Sequence, residues 1–302
     1  LEQPVQHVQD IPVFDPFPES FFEPFPRSAA CLGPSTRILC PDFIWRPIGD
    51  IGVGDELIAF EGRAAMLGNR RKMKIAMLLE RAVVKRPSCR IRFTDGREVV
   101  ASPDSQWLTD PHAVWVRAGK LAAGDLLRDL GAPWKTAPDA ETGWLGGVYD
   151  GEGWLSERKA PGAGYGGGWY IGFAQNPGAV LDLARRLVEE RGYQTREKLD
   201  RSRKIEKFLI TGMYDSFRFL GECQPVRLIE KSRPWIEGAS LMRSRGTARN
   251  QRYSLQIEQV EFLGEVDVVA IETGTQTVLA EGLFSSVARK PLNRERREPR
   301  RH

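Results

Sequence analysis

Short runs in which apolar and polar positions alternate fill the first third of the chain. RILC (37–40), DELIAF (55–60), RAVVKRP (81–87), CRIRFTDGREVVAS (89–102) and QWLTD (106–110) each fit the period of two of a half-buried strand. Asp95-Gly96 stands between CRIRF and REVVA and predicts a hairpin. GKLAAGDLL repeats the shape of IGDIGVGDELI, a turn followed by a strand. The period changes near Ala137. DAETGWLGGVYDGEG reads as a helix capped at Thr136 or Asp139. WYIGFAQ is a strand. NPGAVLDLARRLVEERG is a helix with Val180, Leu183, Ala184 and Leu187 on one face, ended by Gly192. Strands REKLD and KFLITG and a helix at DSFRFLGEC follow, giving the order α-β-β-α-β-β-α, a compact α+β unit. From Tyr253 to Ser286 the pattern is again β. Two β segments flank one α+β insert, whose ends are therefore expected to lie close together.

Residues 1–30 interrupt every period. VFDPFPESFFEPFP is too rich in Pro for regular structure, and the segment reads as an extended arm or as the end of another sequence. The chain begins without Met, which we read as a fragment or an unusual start. LEQPVQHVQD has no basic start and no apolar stretch, so no secretory signal is expected. No apolar run reaches membrane-spanning length, and we expect a cytoplasmic protein of a prokaryote or phage-infected cell, with no membrane partner.

Charge adds a partner class. The net charge of +4 is unevenly spread. Residues 1–30 are acidic, whereas Lys231, Arg233, Arg243, Arg245, Arg249 and Arg252 face Glu237 alone over residues 231–252, and 288–302 is a basic tail. Separated basic blocks suit a polyanion; as solvated faces they would serve solubility. Four cysteines without a CxxC pair argue against a zinc ribbon or disulfide framework, and three histidines are too few for a histidine-rich metal site. GAGYGGG lacks a following Lys-Ser/Thr and is a hairpin turn, not a phosphate-binding loop.

Three stretches, CLGPSTRILC…GDELIAF (31–60), RFTDGREVVASPDSQWL (93–108) and VEFLGEVDVVAIETGTQTVLAEGLFSS (260–286), resemble in order the conserved blocks of an intein, or Hint, domain. The resemblance implies that Cys31 attacks the Ala30 carbonyl in an N-to-S acyl shift. It also implies a Thr-x-x-His motif and a terminal His-Asn pair before a nucleophile. Here those positions read Ser102-Pro103-Asp104-Ser105, Ser286-Val287 and Ala288. Hydroxyls do not titrate near neutral pH, Val287 cannot cyclise and Ala288 has no nucleophile, so splicing is expected to be lost. The alternative for Cys31 is a small buried residue without chemistry.

WLGGVYDGEGWL (144–155) resembles the LAGLIDADG motif of homing endonucleases, which many inteins carry at this point. The resemblance implies that Gly146 and Gly147 let two such helices pack closely. It assigns Mg²⁺ to Glu152 with Gly151, and gives Asp150 the support of the helix end. Gln175 and Lys231 would stand near the scissile phosphate. Arg158, Lys159, Arg196, Lys198, Arg201, Arg203, Lys204 and Lys207 would line a sheet that grips double-stranded DNA. With one motif, cutting both strands calls for a homodimer. The expected fold is thus an all-β Hint domain (31–135 and 253–287) interrupted by an α+β endonuclease domain (136–235) and a basic linker (236–252). Two other readings stand beside the endonuclease: an autoprocessing Hint domain that still cleaves at Cys31, and a DNA-binding module without catalysis.

Overall fold

A computed structural model describes residues 31–62, 71–110, 112–157, 169–200, 205–237, 240–241 and 254–287. The first segment builds nine strands: β1 (Cys31–Leu32), β2 (Arg37–Leu39), β3 (Trp45–Pro47), β4 (Glu56–Phe60), β5 (Arg71–Phe93), β6 (Glu98–Ala101), β7 (Gln106–Leu108), β8 (Trp115–Arg117) and β9 (Leu126–Arg128). The Asp95-Gly96 turn joins β5 to β6 as expected, with Gly96 at φ +85° and its N–H donating to Phe93 O at 3.0 Å.

The middle segment is α1 (Ala140–Glu152), β10 (Gly153–Glu157), β11 (Trp169–Gln175), α2 (Ala179–Glu190), β12 (Thr195–Asp200), β13 (Ile205–Thr211), α3 (Met213–Cys223) and α4 (Val226–Ile236). β14 (Ser240–Leu241), β15 (Ser254–Thr273), β16 (Thr277–Ala280) and β17 (Leu283–Ser286) complete the chain. The protein is mostly β.

β5 and β15 run antiparallel as one long ribbon from Ile257↔Phe93 to Thr273↔Leu78. β1 lies between β6 and β15, so β5, β6, β1 and β15 close on one another. A six-stranded sheet in the order β3-β2-β16-β17-β7-β8 packs beside them. The first and last β segments thus interleave in both sheets, and neither closes without the other. The middle segment has its own antiparallel sheet, β10-β11-β13-β12. One face of it, with Ile171, Phe173, Phe208 and Ile210, joins α1, α2 and α3 in an apolar core.

Several expectations change in detail. Asp139, not Thr136, caps α1: its carboxylate accepts from Thr142 N at 2.7 Å, and Thr142 Oγ1 accepts from Asp139 N at 2.8 Å. Thr136 Oγ1 donates instead to Gly221 O. The α2 face is turned by one position: Leu181, Ala184, Leu187 and Val188 are buried, and Val180 is exposed. Residues 226–236 form a fourth helix despite Pro234, and the expected basic linker opens with β14, paired to Arg71 and Lys72 of β5. The arm 1–30, the tail 288–302, GAGYGGG and most of the linker lie outside the described residues.

The two units share a core. A single apolar cluster runs from Phe43, Trp45, Phe60 and Trp134 into Leu145, Trp169, Phe217 and Leu228. Trp134 Nε1 donates to Phe43 O at 2.9 Å, and the Phe43 and Phe217 rings stand 4.9 Å apart. Polar contacts follow the same seam: Gln224 Nε2 to Asp42 O at 3.0 Å, Arg233 with Glu56 at 2.8 Å, and Ile75 N to Glu237 Oε1 at 2.7 Å.

Candidate functional site

Cys31 begins β1 in the middle of its sheet, paired to Ala270 of β15, and is fully buried. The Ser102-x-x-Ser105 turn after β6 folds back onto it. Cys31 N donates to Ser102 Oγ at 3.1 Å, and Ser105 Oγ donates to Cys31 O at 3.0 Å. The two hydroxyl oxygens are 3.0 Å apart. Since the Ser105 proton is engaged by Cys31 O, the Ser102 proton points to Ser105, and Ser102 presents only a lone pair to the Cys31 N–H. The ring closes with Ser102 N donating to Cys31 O at 3.0 Å. Burial pushes the Cys31 thiol up, and the Arg86 charge draws it partly back. The sequence pointed to both serines; Arg86 it did not single out, because nothing local in RAVVKRP marks it.

The far end of the β segment lies close by. Ser286 pairs with Gln106, the residue after Ser105. Ser286 Oγ and Val287 N both donate to Gln276 O, at 3.3 and 2.9 Å, and both residues are buried. His112 is exposed and outside this cluster. Ala288 lies outside the described residues. The set has an acyl acceptor at Cys31 and hydroxyls around its amide, with no titratable group among the serines.

A second constellation sits at the C-terminal end of α1. Asp150 Oδ1 accepts from Arg227 N at 2.9 Å and Leu228 N at 3.3 Å, so this carboxylate caps α4. Arg227 answers by donating to Tyr149 O at 3.1 Å, Gly153 O at 2.8 Å and Asp150 O around the C-terminal end of α1, where Tyr149 O also accepts from Gly153 N. Asp150 thus caps the start of α4, and Arg227 was missed because a lone Arg carries no sequence signal. Gly151 and Glu152 are exposed beyond this lock, both oxygen-bearing and directed away from the core.

Lys231 is exposed, one helical turn after Arg227 and about 6 Å further along α4. It lies inside α4. Gln175 ends β11 two residues beyond Phe173, the register partner of Gly153, so it stands at the same end of the sheet. Its Oε1 accepts from Asn176 N. Glu152 and Gln175 thus stand at the same end of the sheet, and Lys231 lies one helical turn further along α4. Among the described residues no three His, Cys, Asp or Glu side chains cluster in a way that would hold a metal ion. The glycines of α1 divide: Gly146 packs against the Cys223 carbonyl where α3 ends, whereas Gly143, Gly147 and Gly151 are exposed.

Of the expected DNA contacts, Arg196 is exposed on β12 and Lys207 half-buried on β13. Lys198 pairs with Lys207 by register. Arg158, Lys159, Arg201, Arg203 and Lys204 lie outside the described residues. No described helix is long and apolar enough to cross a membrane.

No protein-family profile matches the chain. A stretch of 80 residues, 26% of this chain, is 31% identical to the replicative DNA helicase DnaB of Mycobacterium intracellulare and spans 12% of that protein. Solved structures similar to the chain include the gp41-1 intein (11% identity, 86% of this chain, 99% of that one, TM-score 0.37). The Ssp DnaB mini-intein variant M86 is 10% identical over 87% of this chain and 96% of its own, with a TM-score of 0.40. A DnaB intein from Synechocystis sp. PCC 6803 is 8% identical over 86% and 99%, at 0.38. At such identities and scores the likeness carries no residue roles and no activity to this chain.

Proposed function

We propose that the chain is a Mg²⁺-dependent DNA endonuclease of the LAGLIDADG type, carried within an intein-like β unit that no longer splices. The observation that supports it is the end of α1. Asp150 is consumed in capping α4, while Gly151 and Glu152 of the same turn are exposed. A carboxylate and a carbonyl are hard oxygen donors and fit Mg²⁺ in kind. They are too few to enclose an octahedral ion from one chain, which calls for a second copy with phosphate and water oxygens. When bound, the ion would supply Lewis acidity to the attacking water and the leaving oxygen.

The chain's own residues do the rest. Glu152 fixes where the charge sits, and Lys231 offsets negative charge on the phosphate as water adds and a P–O bond breaks. Gln175 orients groups at the sheet end. Gly143, Gly147 and Gly151 leave a side-chain-free stripe on α1 along which a second copy's helix fits, bringing two Glu152 side chains to one DNA. The test is light scattering of the protein on duplex DNA, with cleavage followed with Mg²⁺ and with chelator. A dimer that cuts both strands only with the metal agrees. Binding that ignores the metal and leaves DNA uncut selects the DNA-binding reading instead.

A second reading, residual cleavage before Cys31, has its own support in the hydrogen bond between Cys31 N and Ser102. That lone pair holds the amide but donates no proton to a leaving amine, so any acyl shift is slow. Intact mass of the chain expressed between two tagged flanks separates the cases. Precursor, or thiol-accelerated cleavage before Cys31, fits; a joined flank product would overturn the loss of splicing.

A further inference from the structure

Lys231 is carried by a helix that is weak by itself. α4 has eleven residues, and Pro234 stands inside it. So short a helix is marginal in water, and a proline inside one brings no N–H to the carbonyl four residues back, here that of Glu230. What holds α4 therefore decides where Lys231 stands. Leu228 and Ile236 are buried, and the Trp235 ring lies 6.2 Å from that of Trp169. Apolar burial presses the helix inward but has no direction, so polar ties set its position along and around its axis. Its first turn is tied to α1, where Asp150 Oδ1 accepts from Arg227 N and Leu228 N. Its last turn is tied to the β unit. Arg233 Nη2 donates to both carboxylate oxygens of Glu56 on β4, at 2.8 and 3.0 Å. Glu237 Oε1 accepts from Ile75 N of β5 at 2.7 Å, and its Oε2 accepts from Lys74 Nζ at 3.3 Å. Three residues later β14 begins, pairing with Lys72 and Arg71 of the same strand. At 1.5 Å per residue, Lys231 lies about 6 Å along the axis from Arg227 and about 9 Å from Glu237.

We propose that Glu237 is a positioning residue for cleavage: by holding the last turn of α4 against β5, it fixes where Lys231 meets the phosphate. The inference rests on the cleavage reading and deepens it, since it makes the rate of cutting depend on the β unit. Glu237 touches no reacting atom and acts through Lys231. The charges along the helix are divided accordingly. Lys74 and Arg233 are engaged by Glu237 and Glu56, whereas among the described residues no ion pair engages Lys231, whose charge is left for a phosphate. A lysine ammonium is a point charge on a flexible stem, so its reach is set by where its backbone stands. Pro234 separates Lys231 from the second tie, and without that tie the turn between them has the least to hold it. A shift of about 1 Å in a group that must meet a transition state can cost a hundred-fold in rate.

The experiment follows single-turnover cutting by the full chain with Mg²⁺ on the best-cut duplex from a randomised duplex library. It reads the rate at saturating protein and the protein concentration that gives half that rate. Glu237→Ala is expected to lower the saturated rate roughly ten- to a hundred-fold and leave the half-saturating concentration unchanged. Glu237→Gln keeps an oxygen that accepts from Ile75 N and is expected to recover most of the rate. In a Lys231→Ala background, Glu237→Ala is expected to cost nothing further, because both changes act through one ammonium. Parent-like cutting by Glu237→Ala, a loss confined to the half-saturating concentration, a Gln variant no faster than the Ala variant, or an equal loss with and without Lys231 each overturns the proposal and leaves the cleavage reading standing. Should Lys231→Ala cut too slowly to follow, the first three comparisons decide. A parent chain that cuts no duplex overturns both.

Discussion

The Cys31 amide is held at both ends by hydroxyls, and the two serines hold it differently. Ser102 is the acceptor for a buried N–H, whereas Ser105 is a second donor to a carbonyl that already accepts from Ser102 N. Removing the acceptor leaves a buried donor unpaired, at about 1–3 kcal/mol; removing the second donor leaves the carbonyl with one partner. Ser102→Ala should therefore lower the urea midpoint clearly more than Ser105→Ala, and equal losses would contradict the assigned proton directions. A second residue-scale prediction concerns Cys89. Burial pushes its thiol up to about 12. A folded pKa above the unfolded value near 9 gives stability that is complete below pH 9 and lost progressively between pH 9 and 12. Cys89→Ala should start less stable at pH 8 but lose less than the parent between pH 8 and 10.5, measured as urea midpoints at both. Cys223, also raised to about 12, keeps part of the slope in the variant.

At the scale of elements, α1 and α4 are tied end to end: Asp150 caps α4 and Arg227 closes α1. A hydrogen bond from a charged donor contributes about 1.5–3 kcal/mol net, less where water can replace it. Arg227→Ala should lower the thermal midpoint and weaken cutting without weakening initial DNA binding, because it frees the turn that carries Glu152. Thermal unfolding and a cleavage time course check it; full activity in the variant would make the lock dispensable. The same elements show what the sequence could say. The Asp95-Gly96 hairpin, α1 and the α-β-β-α-β-β-α order were legible because local turn chemistry and periodicity determine them. α4 was not, because Pro225 and Pro234 bracket a run whose helicity comes from the Asp150 cap and from packing of Leu228 and Ile236. β5 was legible only in pieces: its 23 residues run through Pro87, and the strand is held by β15, far along the chain. The α2 face slipped by one position because Val180 and Leu181 are adjacent apolar residues, and only the sheet below decides which is covered. In the candidate site, the resemblance to known motifs singled out Ser102, Ser105 and Glu152, but Arg227 and Arg86 act through the fold alone.

On the scale of the whole molecule the insert is part of the core it interrupts. Phe43, Trp45 and Trp134 are buried against Phe217, Tyr214 and the end of α3. Replacing residues 139–237 with a short Gly/Ser linker should expose that face, lower the urea midpoint and raise binding of a hydrophobic dye. An excised chain as stable as the parent would show that the two units only touch. The account as a whole stands on one side chain at the open end of α1. Glu152 lies on the surface beyond the Asp150–Arg227 lock, so changing it removes a carboxylate without disturbing packing. The direct measurement compares the parent and Glu152→Gln on the same duplex library with Mg²⁺, following retention on DNA and double-strand cutting in parallel. Equal retention, with cutting lost by several orders of magnitude in the variant, is the expected result. Equal cutting by the two proteins would contradict it.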